Sequence, residues 1–375
     1  MMLRSFIICL VSSVAFSMRS PGCENPLPDT PHPGRHHRFE VRVSHLNKDL
    51  IISSKVTVPD PLHGDVIRIY ALHLPSKYDP NNDVATPLVL DYHGWTGTAN
   101  DQMTSMPWRD VADVDSTPFI YVAMEGMNDV VEGGWWGSWN VSATQGPLGL
   151  TCDPSLHHDY PCYSSCGDCS YVDNSCDWTS CHDDVIYTET VLYDITSRFC
   201  VDTDNIHMSG ASNGGMFIWT RALARLSSSL ASVAPVCSSP LRGYNSMPEH
   251  PVNIIDMHGL NDRTIPYSPA GPDNLGAGPD GTVIASDGYY YHIKMNHLTD
   301  VLTHMNCNMT SQHYPTHMDG SSNGWNCVQW SGCNQGKQVV HCNGNWTHDY
   351  PFHQRYIEGI IILWDFMKSH PNIMN

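Results

Sequence analysis

Positive charge is scarce in this sequence: 19 Lys and Arg stand against 38 Asp and Glu, a formal net charge of -19 over 375 residues. A surface so charged repels phosphate backbones and anionic lipid, so nucleic acid is not an expected partner. Charge of either sign is thin, at 15%, whereas Gly 28, Pro 26, Trp 11 and Tyr 17 are plentiful, the profile of a loop-rich extracellular enzyme. Long apolar runs are missing as well. The longest spans residues 6–16, about 11 residues after Arg4, and a hydrocarbon core requires roughly 20. With small residues at Ala15 and Ser17, that run reads as a signal peptide over 1–17 rather than a membrane anchor, and predicts a secreted protein. No internal repeat, coiled coil or low-complexity tract interrupts the remainder. A single domain over 18–375, monomeric, is expected.

Of 14 cysteines, Cys9 leaves with the signal peptide, so 14 − 1 = 13 remain. Six of them, Cys152, Cys162, Cys166, Cys169, Cys176 and Cys181, crowd one segment. The Cys166-x-x-Cys169 spacing could hold zinc, but an oxidising compartment favours disulfides. An odd total predicts at least one thiol without an intramolecular partner. Sequons at Asn140, Asn308 and Asn345 fit a glycosylated product.

Strand patterns at 39–46, 65–74, 88–91 and 119–124 precede an alternation of helices and strands. Helix is expected at 183–199, 213–226, 289–305 and 354–368, and strand at 205–209, 232–236, 252–257 and 338–341. Such alternation predicts an α/β fold whose mostly parallel central sheet has helices on both faces, with its site at the carboxyl ends of the strands. Two stretches break the pattern and read as surface insertions: a Cys/Trp-rich one at about 132–181, and a Gly/Pro-rich one at 266–287.

Gly210-Ala211-Ser212-Asn213-Gly214 is a GxSxG sequence set directly after a strand and before a helix. Small residues around Ser212 permit the tight turn that lifts its hydroxyl out of the sheet, over a helix N-terminus. A serine nucleophile needs a base, and the base needs an orienting carboxylate, in the chain order Ser, acid, His. Asp262 follows the strand at 252–257, with Asp256 as its rival inside that strand. His348 follows the strand at 338–341, with His353, His341 and His258 as competitors. His93-Gly94-Trp95-Thr96-Gly97, after the strand at 88–91, offers Trp95 as one backbone oxyanion donor, and Asn213 offers the other. Trp135, Trp136 and Trp139 could form an aromatic wall for substrate, or fill a small core of their own. Asp183 and Asp184, at the start of a helix, read as capping residues.

VLDYHGWTGTA at 89–99, HDDV at 182–185, NIHMSGASNGGMF at 205–217, MHGLNDRTIPY at 257–267 and HDYP at 348–351 together resemble the ordered motifs of the secreted polyhydroxybutyrate depolymerase and feruloyl esterase family, within the α/β-hydrolase superfamily. The likeness runs from about Val66 to Lys368. It implies an α/β-hydrolase fold with Ser212, Asp262 and His348 as catalytic triad. The final motif departs from the family's Gly-His-Thr-Trp-Pro, with Thr347 before the histidine and Tyr350 in place of Trp.

The expected activity is hydrolysis of carboxylic esters, of a feruloylated plant cell-wall polysaccharide or a hydroxyalkanoate polyester, through an acyl-enzyme that requires no metal or organic cofactor. Peptide hydrolysis by the same groups, or a non-catalytic carbohydrate-binding or adhesive role, remain the alternatives.

Overall fold

The computed structural model describes residues 18–24, 42–46, 49–79, 84–131, 133–142, 146–147, 149–155, 161–167, 175–176, 178–270, 276–320, 325–348 and 357–372. The expected signal peptide, Cys169 and His353 lie outside them.

Eleven strands form one sheet: β1 (Arg42–Leu46), β2 (Asp49–Asp60), β3 (Gly64–Leu74), β4 (Thr86–Tyr92), β5 (Ile120–Met124), β6 (Val201–Ala211), β7 (Ser232–Val236), β8 (Asn253–Gly259), β9 (Gln312–His313), β10 (Asn326–Trp330) and β11 (Val339–Gly344), in the order β1-β2-β3-β5-β4-β6-β7-β8-β11-β10-β9. The six strands from β5 across to β11 run parallel, and antiparallel strands extend both edges. The central strands are apolar on both faces because helices cover both. Leu88, Leu90, Ile206 and Met208 pack against α3 (Asp184–Arg198), α4 (Asn213–Phe217) and α5 (Leu223–Leu226). On the opposite face Val89, Tyr121, Ile255 and Val340 meet α1 (Ala99–Ser105), α2 (Trp108–Val114) and α7 (Ile357–Lys368). Helix α6 (Lys294–His304) adds Leu298, Val301 and Leu302 to the first face.

The observed sheet agrees with the expected mostly parallel centre and extends it. β2 went unread because two of its inward positions are polar: Ile52, Ser54, Val56, Val58 and Asp60 are buried in alternation, and Ser54 and Asp60 break the apolar period. Helix α6 starts later than the pattern suggests, since Tyr290–His292 pairs as a strand with Thr282–Ile284. Asp183 caps α3 by accepting from the Val185 and Ile186 N–H groups. Asp184 does not cap: it is buried and pairs with Arg68 at 2.8 Å.

Among the described residues five disulfides join Cys23–Cys200, Cys152–Cys176, Cys166–Cys181, Cys307–Cys333 and Cys327–Cys342, and Cys237 is free and buried. Two of these staple the Cys/Trp-rich excursion, whose own ladder among the described residues is Gly146–Pro147 paired with Ser175–Cys176. It also joins the segment that directly follows the second excursion, through Asp153 N–H to Gly288 O and Tyr290 N–H to Thr151 O. No helix among the described residues is long and apolar enough to cross a membrane.

Candidate active site

Ser212 stands between β6 and α4 with φ 51° and ψ −118°, a conformation L side chains rarely adopt. The turn closes only because its flanks carry no side chain: a Cβ on Gly210 would lie 2.7 Å from the Gly214 carbonyl carbon, and one on Gly214 2.2 Å from the Tyr92 carbonyl oxygen. The Ser212 N–H donates to Val236 O at 2.9 Å, which ties the turn to β7. Beyond it the helix passes through a π-helical turn, Ile218–Ala222, before α5.

Parallel pairing of β8 with β11 ends at Gly259 opposite Gly344, so their following loops leave side by side. Those loops bond to each other, Leu260 N–H to Gly344 O at 2.9 Å and Asn261 N–H to Trp346 O at 3.1 Å. Asp262 and His348 are thereby brought together, with His348 Nδ1 at 3.0 and 2.9 Å from the two Asp262 oxygens. His348 Nε2 lies 2.9 Å from Ser212 Oγ. An ionised carboxylate only accepts, so Nδ1 carries the hydrogen and Nε2 faces the serine hydroxyl with its lone pair.

Asp262 is held as an anion. Burial alone would raise its pKa, but hydrogen bonds from His258 and His348 outweigh that and lower it to about 2. Its Oδ1 also accepts from Thr264 and Ile265 N–H, both at 2.9 Å. The sequence offers His258 only as a competing base. Instead it sits on the far side of the acid, fully buried, with Nε2 at 3.2 Å from Asp262 Oδ2 and 2.8 Å from Ile265 O. The rivals Asp256 and His341 pair with one another at 2.7 Å, and Lys294 completes that buried cluster at 2.8 Å from Asp256.

The loop that follows β4 borders the serine: a Cβ on Gly94 would be 3.5 Å from Ser212 Cβ. His93 fixes this loop. Its Nε2 accepts from Gly126 N–H at 2.8 Å, so Nδ1 carries the hydrogen and donates to Gly94 O at 2.7 Å. Burial pushes His93 down to about 4, which keeps that single-hydrogen form. Trp95 follows on the same loop, braced by its indole N–H on Tyr163 Oη at 2.9 Å. Asn213 is fully buried, and its amide is clamped to the Trp139 backbone at 2.8 and 3.2 Å.

The tryptophans divide. Trp135 is 47% exposed and donates to Gly97 O at 3.2 Å, while Trp136 lies 5.1 Å from the Trp95 ring. Trp139 corrects the sequence expectation of a wall residue: it is 0% exposed, donates to His93 O at 2.8 Å and packs on Tyr92. Its polar handle finds a partner only inside, so the ring is core. Trp178, unremarked in the sequence, packs edge-on to Trp95 at 5.8 Å. Beside His348 an open cleft of about 600 Å³ is lined by Asn261, Arg263, Thr264 and Thr347.

No family model matches the chain. A bifunctional acetylxylan esterase/xylanase of Neocallimastix patriciarum is 25% identical over 204 residues, 54% of this chain and 22% of that protein. Feruloyl esterase B of Piromyces equi is 23% identical over 267 residues, 70% of this chain and 39% of that protein. The chain therefore spans less than half the length of either relative. An acetyl xylan esterase from Aspergillus awamori aligns in structure with a TM-score of 0.46 at 12% identity, over 84% of this chain and 99% of that one. The chain is thus similar in sequence to proteins named acetylxylan esterase and feruloyl esterase, and the second name is shared with the group that the five ordered motifs resemble.

Proposed function

We propose that this chain is a secreted serine carboxylic-ester hydrolase of the α/β-hydrolase type. The observation that carries the reading is the unbroken hydrogen-bond line from Ser212 Oγ through His348 to Asp262, with contacts of 2.9 Å at each end. In this reading Ser212 Oγ attacks the ester carbonyl carbon as its proton passes to His348 Nε2. The imidazolium then gives that proton to the departing alcohol, leaving an acyl-enzyme. Water enters by the same route in reverse, and Asp262 holds the imidazole tautomer throughout. Backbone N–H groups of Trp95 and Asn213 receive the developing oxyanion, each worth roughly 3 kcal/mol. The clamped Asn213 side chain and the His93-pinned loop support this assignment, since both donors then sit on backbone that does not have to reorganise.

Trp135 and Trp136 would border the acyl group. The relatives' names favour acetyl or feruloyl esters of plant cell-wall polysaccharide, with hydroxyalkanoate polyester as the other substrate class. The disulfides support an extracellular, oxidising location, with one catalytic domain over 18–375 following a signal peptide. Of the three sequons, Asn308 and Asn345 are exposed and suit a glycan, whereas the Asn140 amide is buried and donates to His182 O at 3.0 Å.

The test is covalent labelling with a fluorophosphonate, alongside a hydrolysis screen of acetylated xylan, methyl ferulate and polyhydroxybutyrate. We expect an adduct on Ser212 and ester turnover that Ser212→Ala abolishes. Full activity in Ser212→Ala would refute the mechanism.

A further inference from the structure

We propose that Asp60, His63 and His182 form a site for a divalent cation of the zinc class, fastening the turn between β2 and β3 to the Cys/Trp-rich excursion. Their ligand atoms all lie within 4.8 Å of one another. The inference does not depend on the reaction assigned to Ser212.

Hydrogen placement points to a cation. His63 Nε2 faces the Ser165 carbonyl oxygen at 2.9 Å, and a carbonyl can only accept, so Nε2 carries the ring hydrogen. In a ring with one hydrogen, Nδ1 then offers a lone pair. It confronts Asp60 Oδ1, another lone-pair bearer, at 2.9 Å. That oxygen already accepts from the Leu62 and His63 N–H groups at 2.9 and 3.1 Å. A positive charge has to sit at this contact, either a second ring proton between the two atoms or a metal ion bound to both from one side. A metal-bound histidine characteristically turns its other nitrogen to a carbonyl, as His63 does.

His182 sits between two carboxylates. Nδ1 is 3.0 Å from Asp60 Oδ2, and Nε2 is 4.0 Å from Asp129 Oδ2. Asp129 has a side chain only 9% exposed, and its Oδ1 is buried with no hydrogen-bond partner among the described residues. Two acids and two imidazoles balance a doubly charged ion. Two nitrogen donors and one carboxylate suit zinc over calcium or magnesium, which take oxygen ligands.

The place is consequential because the excursion reaches the site from here. Ser165 follows Tyr163, whose hydroxyl donates to Trp136 O at 2.6 Å and accepts from the Trp95 indole. An ion at Asp60 would brace the segment that carries the aromatic wall.

The test uses the full chain, stripped by a chelator and titrated with ZnCl₂ at about pH 7, where metal has deprotonated ligands to bind. Calorimetry should find one tight ion per chain, and the melting temperature should rise with zinc. Cobalt(II) substitution should give visible bands of nitrogen and oxygen ligation, a readout that needs no variant. His63→Gln and His182→Gln should each weaken binding about tenfold or more. His313→Gln, at the exposed His313–Asp319 pair outside the cluster, should leave it unchanged. Absence of saturable uptake would overturn the proposal, as would equal uptake by both cluster variants, the mark of adventitious surface histidines. Melting that ignores zinc yet rises on acidification would assign the positive charge to protons instead.

Discussion

The carboxyl edge of the sheet and the excursion at 132–181 are held by different means. Ser212, Asp262 and His348 hang from β6, β8 and β11, strands that are almost wholly buried and bonded to neighbours on both sides. The excursion has a two-residue ladder, two disulfides between described cysteines and a set of side-chain clamps such as Asp129 Oδ2 on Ser165 N–H at 2.6 Å. Backbone ladders resist local opening, whereas a segment held by cross-links can loosen alone once they are cut. Chemistry should therefore depend on the first region and recognition on the second.

The largest expected effect lies in the first region. Ser212→Ala should lower kcat/KM about 10⁵-fold in ester hydrolysis, with thermal melting unchanged. A comparable loss from a change confined to the excursion would break the division. Asp262→Asn should cost about 10⁴-fold, because the imidazole loses its orienting anion. The same variant sharpens the acid response. With its pKa lowered to about 2 in the fold, Asp262 adds stability that is present above the ordinary carboxylate range and lost as pH falls from about 4 toward 2. Denaturation followed over that window should show a component on the order of 2 kcal/mol in the parent and none in Asp262→Asn.

Trp139→Ala should destabilise by about 3 to 5 kcal/mol in chemical unfolding, the cost of emptying a fully buried aromatic position. Replacing Cys166 and Cys181 by Ser removes a bridge across 15 residues and should cost up to about 3 kcal/mol. Hydrogen exchange should show that loss concentrated between residues 129 and 181, while turnover of a small p-nitrophenyl ester persists. Smallest of all, Trp135→Ala should leave stability within about 0.5 kcal/mol and raise KM for an aromatic ester about fivefold. A Trp135 effect on melting as large as that of Trp139 would erase the distinction between wall and core.

The central strands were legible because burial on both faces writes a continuous apolar run, as at Ile120–Met124 and Ile254–Ile255. The turn at Ser212 was legible because a tight strand-to-helix turn demands small residues at fixed offsets. The role of His258 was not. A histidine four residues from an acid has no pattern of its own, and which side of Asp262 it occupies depends on how β8 leaves the sheet. Trp139 was misplaced for a related reason: adjacent tryptophans look alike in sequence, and only the packing of Tyr92, His93 and Phe217 makes one of them interior.

By itself the sequence determined the alternation of strands and helices, the order along the chain in which Ser212, Asp262 and His348 follow their strands, and the oxidised character of the cysteines, all of which follow from local period, spacing and composition. Tertiary structure alone decided where the rivals go: the sequence offers Asp256 and His341 as competitors to Asp262 and His348, and the fold pairs those competitors with each other. The register of β8 against β11 sends one pair into the core and the other to the rim, because a side chain's surroundings are fixed by the strand beside it and not by its neighbours in sequence.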